Sequence, residues 1–230
     1  MASEILQLLE QVERERQRRH QQPTLAAAVQ EVKGFQQHRF AASYRDLSLS
    51  PRYRDVVRFF LADLYGPLDY QQRDRDFARI VPRIEALFPS AVRSTVLSLA
   101  RLHALSEELD TAMALAVPDG PLSAADYARA WRAVGRQGDR LHQLQLVLAL
   151  GAALDLHTRH AWLRRALRLM RAPARAAGLS AMQGFLERGM HAFSAMQGAD
   201  EFLRVVQTRE ASLITALFAG DDEALGVDRP

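Results

Sequence analysis

Residues Asp139–Leu154, DRLHQLQLVLALGAAL, decide the fold class. The run Leu146 to Leu154 contains no polar side chain and a single β-branched residue, Val147. Leucine and alanine are strong helix formers, whereas strands favour β-branched and aromatic residues. A helix apolar on every side belongs in the middle of a bundle, and Gly151 allows a neighbour to cross closely. Spanning a bilayer takes about 20 such residues, so the run predicts a central core helix in a soluble protein.

Composition repeats the message. Ala (37), Leu (33) and Arg (29) supply 99 of 230 residues, against 24 for Val, Ile and Thr. The absence of cysteine excludes disulfides, thiolate metal sites and cysteine nucleophiles. The net charge is only +3; the pI near 9.7 exaggerates it, because one lysine and five tyrosines leave little to titrate above neutrality. Such a balance does not by itself argue for nucleic acid, and without an aromatic platform or recognised motif nucleic acid is not an expected partner. Glu4 and Glu10 interrupt the apolar start, which therefore does not read as a secretory signal, and the cytoplasm is the expected location.

Outward from the central run, prolines and glycines punctuate a series of helices. Residues 3–20 form a first helix with Ile5, Leu9 and Val12 on one stripe; Glu13–His20 has no apolar position and is expected to project. Pro23 opens a second helix, and Ser50-Pro51 a third, which stops at Tyr65-Gly66-Pro67. Asp69-x-x-Gln72, Ser123-x-x-Asp126 and Ser180-x-x-Gln183 read as helix starts, and Ser90 to about Val117 as one long helix. The expected architecture is an all-α, single-domain bundle of about eight helices. A partly projecting helix over residues 1–22 precedes a bundle over 23–219, and the acidic tail 220–230 is expected to be disordered.

Within this pattern, Phe59-Phe60-Leu61-x-Asp63-Leu64-Tyr65-Gly66-Pro67-x-Asp69, followed by Arg73-Asp74-x-Asp76, resembles a family of uncharacterised proteobacterial helical proteins. The resemblance extends through Leu109-Asp110, Met170-Arg171-x-Pro173-Ala174 and Arg209-Glu210, covering about residues 24–219. It implies a bacterial origin and a single helical domain. That family has no established activity, so the resemblance assigns no role to any residue.

Three constellations carry chemistry. From Leu156 to Leu186 there is no Asp or Glu, but there are six arginines. His157, His160, Arg164, Arg168 and Arg171 fall on one face of a continuous helix, where they would grip an acidic protein or anionic ligand. The alternative is a solvated face whose arginines pair with nearby acids. A second set, Asp63, Tyr65, Arg73 and His191, would line a pocket between helices in an enzyme or small-ligand binder. Haem-oxygenase-like and ferritin-like proteins share this size and helical content, but by size alone. Paired with Arg73 or Arg79, Asp63 is instead a corner brace. Glu187/His191 and His103/Glu107 have chelate spacing, yet there is no Glu-x-x-His, and neither a metal nor another cofactor is expected. Gly184 and Gly189 would let helices approach closely or leave room for an apolar ligand. No phosphate-binding or nucleophile-elbow motif occurs, and the sequence points away from an enzyme. Ile5, Leu6, Leu9 and Val12 would also suit the seam of a homodimer. Association with a membrane is not expected.

Overall fold

A computed structural model of the chain describes residues 1–64 and 71–227. These contain helices and no strand. In chain order the helices are α1 (Ala2–His20), α2 (Pro23–Ser43), α3 (Arg45–Leu49), α4 (Arg54–Phe59), α5 (Gln71–Leu87), α6 (Ser90–Ala114), α7 (Ala124–Val134), α8 (Gln137–Arg159), α9 (Ala161–Leu169), α10 (Arg171–Ala176), α11 (Ser180–Ala195) and α12 (Asp200–Ala219). A π-helical turn, Phe60–Leu64, continues α4, and a 3-10 turn, Asp222–Leu225, follows α12. The chain is cut into more pieces than the eight expected, because α3, α4, α9 and α10 are short segments between sharp turns. None of the described helices is long and apolar enough to cross a membrane.

Helix starts follow local chemistry unevenly. Ser123 and Asp126 form the expected reciprocal cap of α7. Ser50-Pro51 instead sits in a turn, with the Tyr53 and Arg54 amides bonded to the Ser50 carbonyl, and α4 begins only at Arg54. Ser180 makes no cap. Gln183 donates to the Leu167 carbonyl (2.7 Å) and so ties α11 to α9 rather than closing its own first turn. Pro82 lies inside α5. The start expected at Asp69 lies outside the described residues.

One apolar core runs through most of the molecule, with an aromatic cluster at its centre. Phe60 stacks on Phe40 (5.6 Å) and meets Phe202 edge-on (5.8 Å), and Phe59 packs against Phe185 (5.6 Å). The Phe59 ring lies where a side chain on residue 189 would reach; a Cβ there would come within 3.1 Å, so Gly189 makes the α4–α11 approach possible. Gly151 does the same for α8 and α12, where a Cβ would sit 2.6 Å from the Leu203 side chain. Yet α8 is not enclosed. It packs on α6, α11 and α12, while Leu141, Ala149, Ala152 and Leu156 form an open line along its outer side. Within the apolar run itself the exposed positions are the small Ala149 and Ala152.

Both ends of the chain correct the sequence expectation. The second half of α1 does not project: Arg16 and Arg19 dock it onto α5 and α6 through ion pairs, described below. Ile5, Leu9 and Val12 are buried against the chain's own α2, α5 and α6, so the proposed dimer seam is already occupied. The described part of the tail, residues 220–227, folds back onto the bundle. Leu225 is 2% exposed, and Asp222 pairs with Arg132 of α7 at 2.5 Å. Asp228 lies outside the described residues.

Candidate functional site

The acid-free stretch does not form one helix. Helix α8 ends at Arg159, and His160 takes an extended conformation (φ −84°, ψ 103°) before α9 begins. Local bonds favour the break. The Thr158 hydroxyl donates to the Asp155 carbonyl (2.7 Å), and the Arg164 guanidinium folds back onto the Thr158 carbonyl. The turn brings α9 onto α11, and Leu163, Ala166 and Leu167 are half-buried there.

This break scatters the five residues expected on one face. His157 is buried, its Nε2 2.9 Å from the Thr95 hydroxyl of α6; burial, helped by the His160 charge, lowers its pKa below the usual histidine value. Arg164 caps α8. Arg171 donates to Glu187 at 2.6 Å on α11. Only His160 and Arg168 remain outward and free of such a bond. The acids flanking the stretch are both used at its edges: Asp155 takes Arg159 (2.5 Å), and Glu187 takes Arg171.

What the fold presents instead is a different set. No residue of α9 is buried. Trp162 (50% exposed), Arg165 and Leu169 (71% exposed) lie at i, i+3 and i+7, one outward row, with Arg168 beside it. Met170 (49% exposed) follows, then Arg175 on α10. Arg165, Arg168 and Arg175 are exposed and have no ion pair among the described residues. A helical count carried straight across His160 does not bring Trp162, Arg165, Leu169 and Arg175 together; a count that begins at His160 sets Trp162, Arg165 and Leu169 on one row.

The second set converges only in part. Asp63, in the π turn, is buried and held by Arg188 of α11: Nε donates at 3.0 and 3.1 Å, Nη2 at 2.5 Å. Arg73 Nη1 donates to the Asp63 carbonyl (2.8 Å) while its guanidinium lies over the Phe185 ring. Asp63 is therefore a brace, but through Arg188 rather than through the Arg73 or Arg79 side chain pairing expected; Arg79 bonds the Ala177 carbonyl. His191 is exposed, 3.9 Å from Asp55, and Tyr65 lies outside the described residues. A groove of about 270 Å³ is lined by Arg58, Phe59, Ala62, Asp63 and Arg188, without Arg73 or His191. A second, of about 370 Å³, lies between the ends of α8 and α11.

The densest ionic chemistry is internal. Arg19 donates to the Glu107 carboxylate, to its carbonyl (2.6 Å) and to Thr111 (2.7 Å). Lys33, the only lysine, donates to Glu107 at 2.7 Å and lies 3.8 Å from Asp110. Asp74 receives Arg16 at 2.5 Å and His103 at 2.8 Å. Burial opposes the Glu107 charge, but Lys33, His103 and Arg19 outweigh it and hold the carboxyl at about 2. Asp110 goes the other way: burial raises it and the Glu107 charge adds to that, with Lys33 opposing. These acids are saturated by cations, and no group of three or more His, Asp or Glu suited to a metal occurs among the described residues. His103/Glu107 and Glu187/His191 each point at separate partners.

Much of the residue set behind the family resemblance is spent on such braces: Asp63, Arg73 and Asp74 here, Asp110 beside Lys33, and Arg209-Glu210 at the far end. Arg209 bonds Asp46 (2.8 and 2.7 Å), and Glu210 accepts from Arg39 (2.6 Å) and Tyr44 (2.9 Å). A family model described as Domain of unknown function (DUF8198) matches residues 15–224, from the ion-paired half of α1 to the 3-10 turn. The chain belongs to that family. No curated protein and no solved structure matches it. The DUF8198 domain is thus one helical unit in which charged residues fasten α1, α5 and α12, and its description assigns no activity.

Proposed function

We propose that this DUF8198 protein is non-enzymatic and acts by holding an acidic partner or anionic ligand on the outward face of α9 and α10. The observation that carries the reading is the charge balance there. Arg165, Arg168 and Arg175 stand exposed in a stretch without an acid, after the acids at either end have been taken by Arg159 and Arg171. Guanidinium groups so placed recognise carboxylate or phosphate bidentately. The setting we assign is the cytoplasm of a bacterium, on the lack of cysteine and the use of arginine for nearly every lysine. Retention on immobilised polyglutamate at low salt, compared between the wild type and Arg165→Glu/Arg168→Glu/Arg175→Glu, tests it. The variant should lose retention; equal retention would end the proposal.

A second reading, a small-ligand binder or enzyme, draws on the groove beside Asp63. The Asp63 carboxylate there is neutralised by Arg188, so the free group on offer is the exposed Arg58, suited to a small anion. The groove lies just below the size range of ordinary ligand pockets, about 300–1,000 Å³. Unchanged melting of Arg58→Ala and wild type alike across a panel of small carboxylates and phosphates would remove this reading.

A further inference from the structure

Resting on the reading of α9 and α10 as a docking face, we propose that its occupant is an acidic amphipathic helix of a protein partner. Such a partner sets a carboxylate between two apolar side chains. The argument is the order of residues on the outward row. Arg165 stands one turn from Trp162 and one turn from Leu169, so a cation is held between two exposed apolar anchors. A simple polyanion satisfies Arg165 but leaves Trp162 and Leu169 in water. A helix with leucine, glutamate and leucine on successive turns satisfies all three. Tryptophan, methionine and arginine, without lysine or acids, is also the composition that marks the core of protein interfaces.

A bilayer fits the face less well. Helices that lie on membranes keep an apolar face for the acyl chains and a cationic face for the headgroups. In α9 the apolar Leu163, Ala166 and Leu167 are half-buried in a helix that packs on α11, and the outward row interleaves charge with apolar surface. Nor does the chain's own acidic tail serve: Asp222 is engaged by Arg132.

The test uses the full chain and a fluorescent leucine–glutamate peptide patterned as an amphipathic helix. Its comparison probes are the same peptide with every leucine replaced by serine, and phosphatidylcholine–phosphatidylserine vesicles. The leucine peptide should bind, shift Trp162 emission to the blue and lose affinity with salt. Trp162→Ala should weaken it about thirtyfold, as the loss of a buried aromatic anchor does. Trp162 is half exposed, so that variant keeps its fold, checked by an unchanged urea midpoint. Equal binding of the serine peptide, or indifference to Trp162→Ala, would overturn the helix partner while leaving anion capture intact. Preference for the vesicles, or a dimer of this chain that Trp162→Ala dissolves, would overturn it as well. Binding of both peptides unaffected by Arg165→Glu/Arg168→Glu/Arg175→Glu would instead sink the docking face itself.

Discussion

Two arginine-rich helical segments finish in opposite places. Residues 13–20 of α1 contain no apolar side chain, yet Arg19 is buried and Arg16 nearly so. Helix α9 carries a tryptophan and three leucines, yet none of its residues is buried. Hydrophobicity predicts the reverse. The difference lies in what each segment finds opposite it. Helix α1 faces Asp74 and Glu107, each already shared with a second basic side chain, so removing its guanidinium groups from water is compensated. Helix α9 stands in thirty-one residues without an acid, and its Arg165 and Arg168 have no ion pair among the described residues. For these two segments, whether an arginine is structural or available follows the supply of acceptors opposite it, carboxylates above all.

The sharpest challenge to this contrast is to remove a cation from the buried side. Lys33→Met leaves Glu107 and Asp110 enclosed with one partner fewer, and should cost about 3–5 kcal/mol in urea unfolding. A loss under about 1 kcal/mol would mean that the cluster is not the fastening described. Acid should act through the same carboxylate. With Glu107 held at about 2 against an ordinary 4.5, its contribution is complete above pH 4.5 and is lost as the pH falls toward 2, on the order of 3 kcal/mol. Asp110 runs in the opposite sense, since its raised pKa makes protonation favour the folded chain. Stability of Glu107→Gln should therefore be lower at neutral pH but flatter below pH 4.5 than the wild type; parallel curves would refute the assignment. A smaller effect is expected at Asp63. Arg188→Ala uncovers a buried carboxylate, but the Arg188 side chain is 58% exposed, which limits the loss to about 1–2 kcal/mol. Least of all, reversing Arg165, Arg168 and Arg175 together should move the urea midpoint by no more than about 0.5 kcal/mol. A large shift there would erase the distinction between the two segments.

Sequence periodicity sufficed for the helical class, the Ser123–Asp126 cap and the shared stripe of Ile5, Leu9 and Val12, because each rests on residues near one another in the chain. It failed where a distant group decides the outcome. Nothing local to Arg19 announces Glu107, eighty-eight positions away, and nothing local to Asp63 announces Arg188. The basic patch was legible as an acid-free stretch, but not its membership. The bend at His160, which contains neither proline nor glycine, leaves Leu163 and Leu167 half-buried, spends Arg164 on the end of α8 and makes Arg165 an outward charge.

The enclosure of Lys33 has a practical corollary. Amine-directed labels and cross-linkers find no accessible lysine side chain on this molecule, since its single one is packed between two carboxylates. Dicarbonyl reagents that modify guanidinium groups take over that role, and Arg165, Arg168 and Arg175 are open to them while Arg19 is not. A footprint of arginine modification, taken with and without a candidate partner, would therefore read occupancy of the α9 row directly on the unaltered protein.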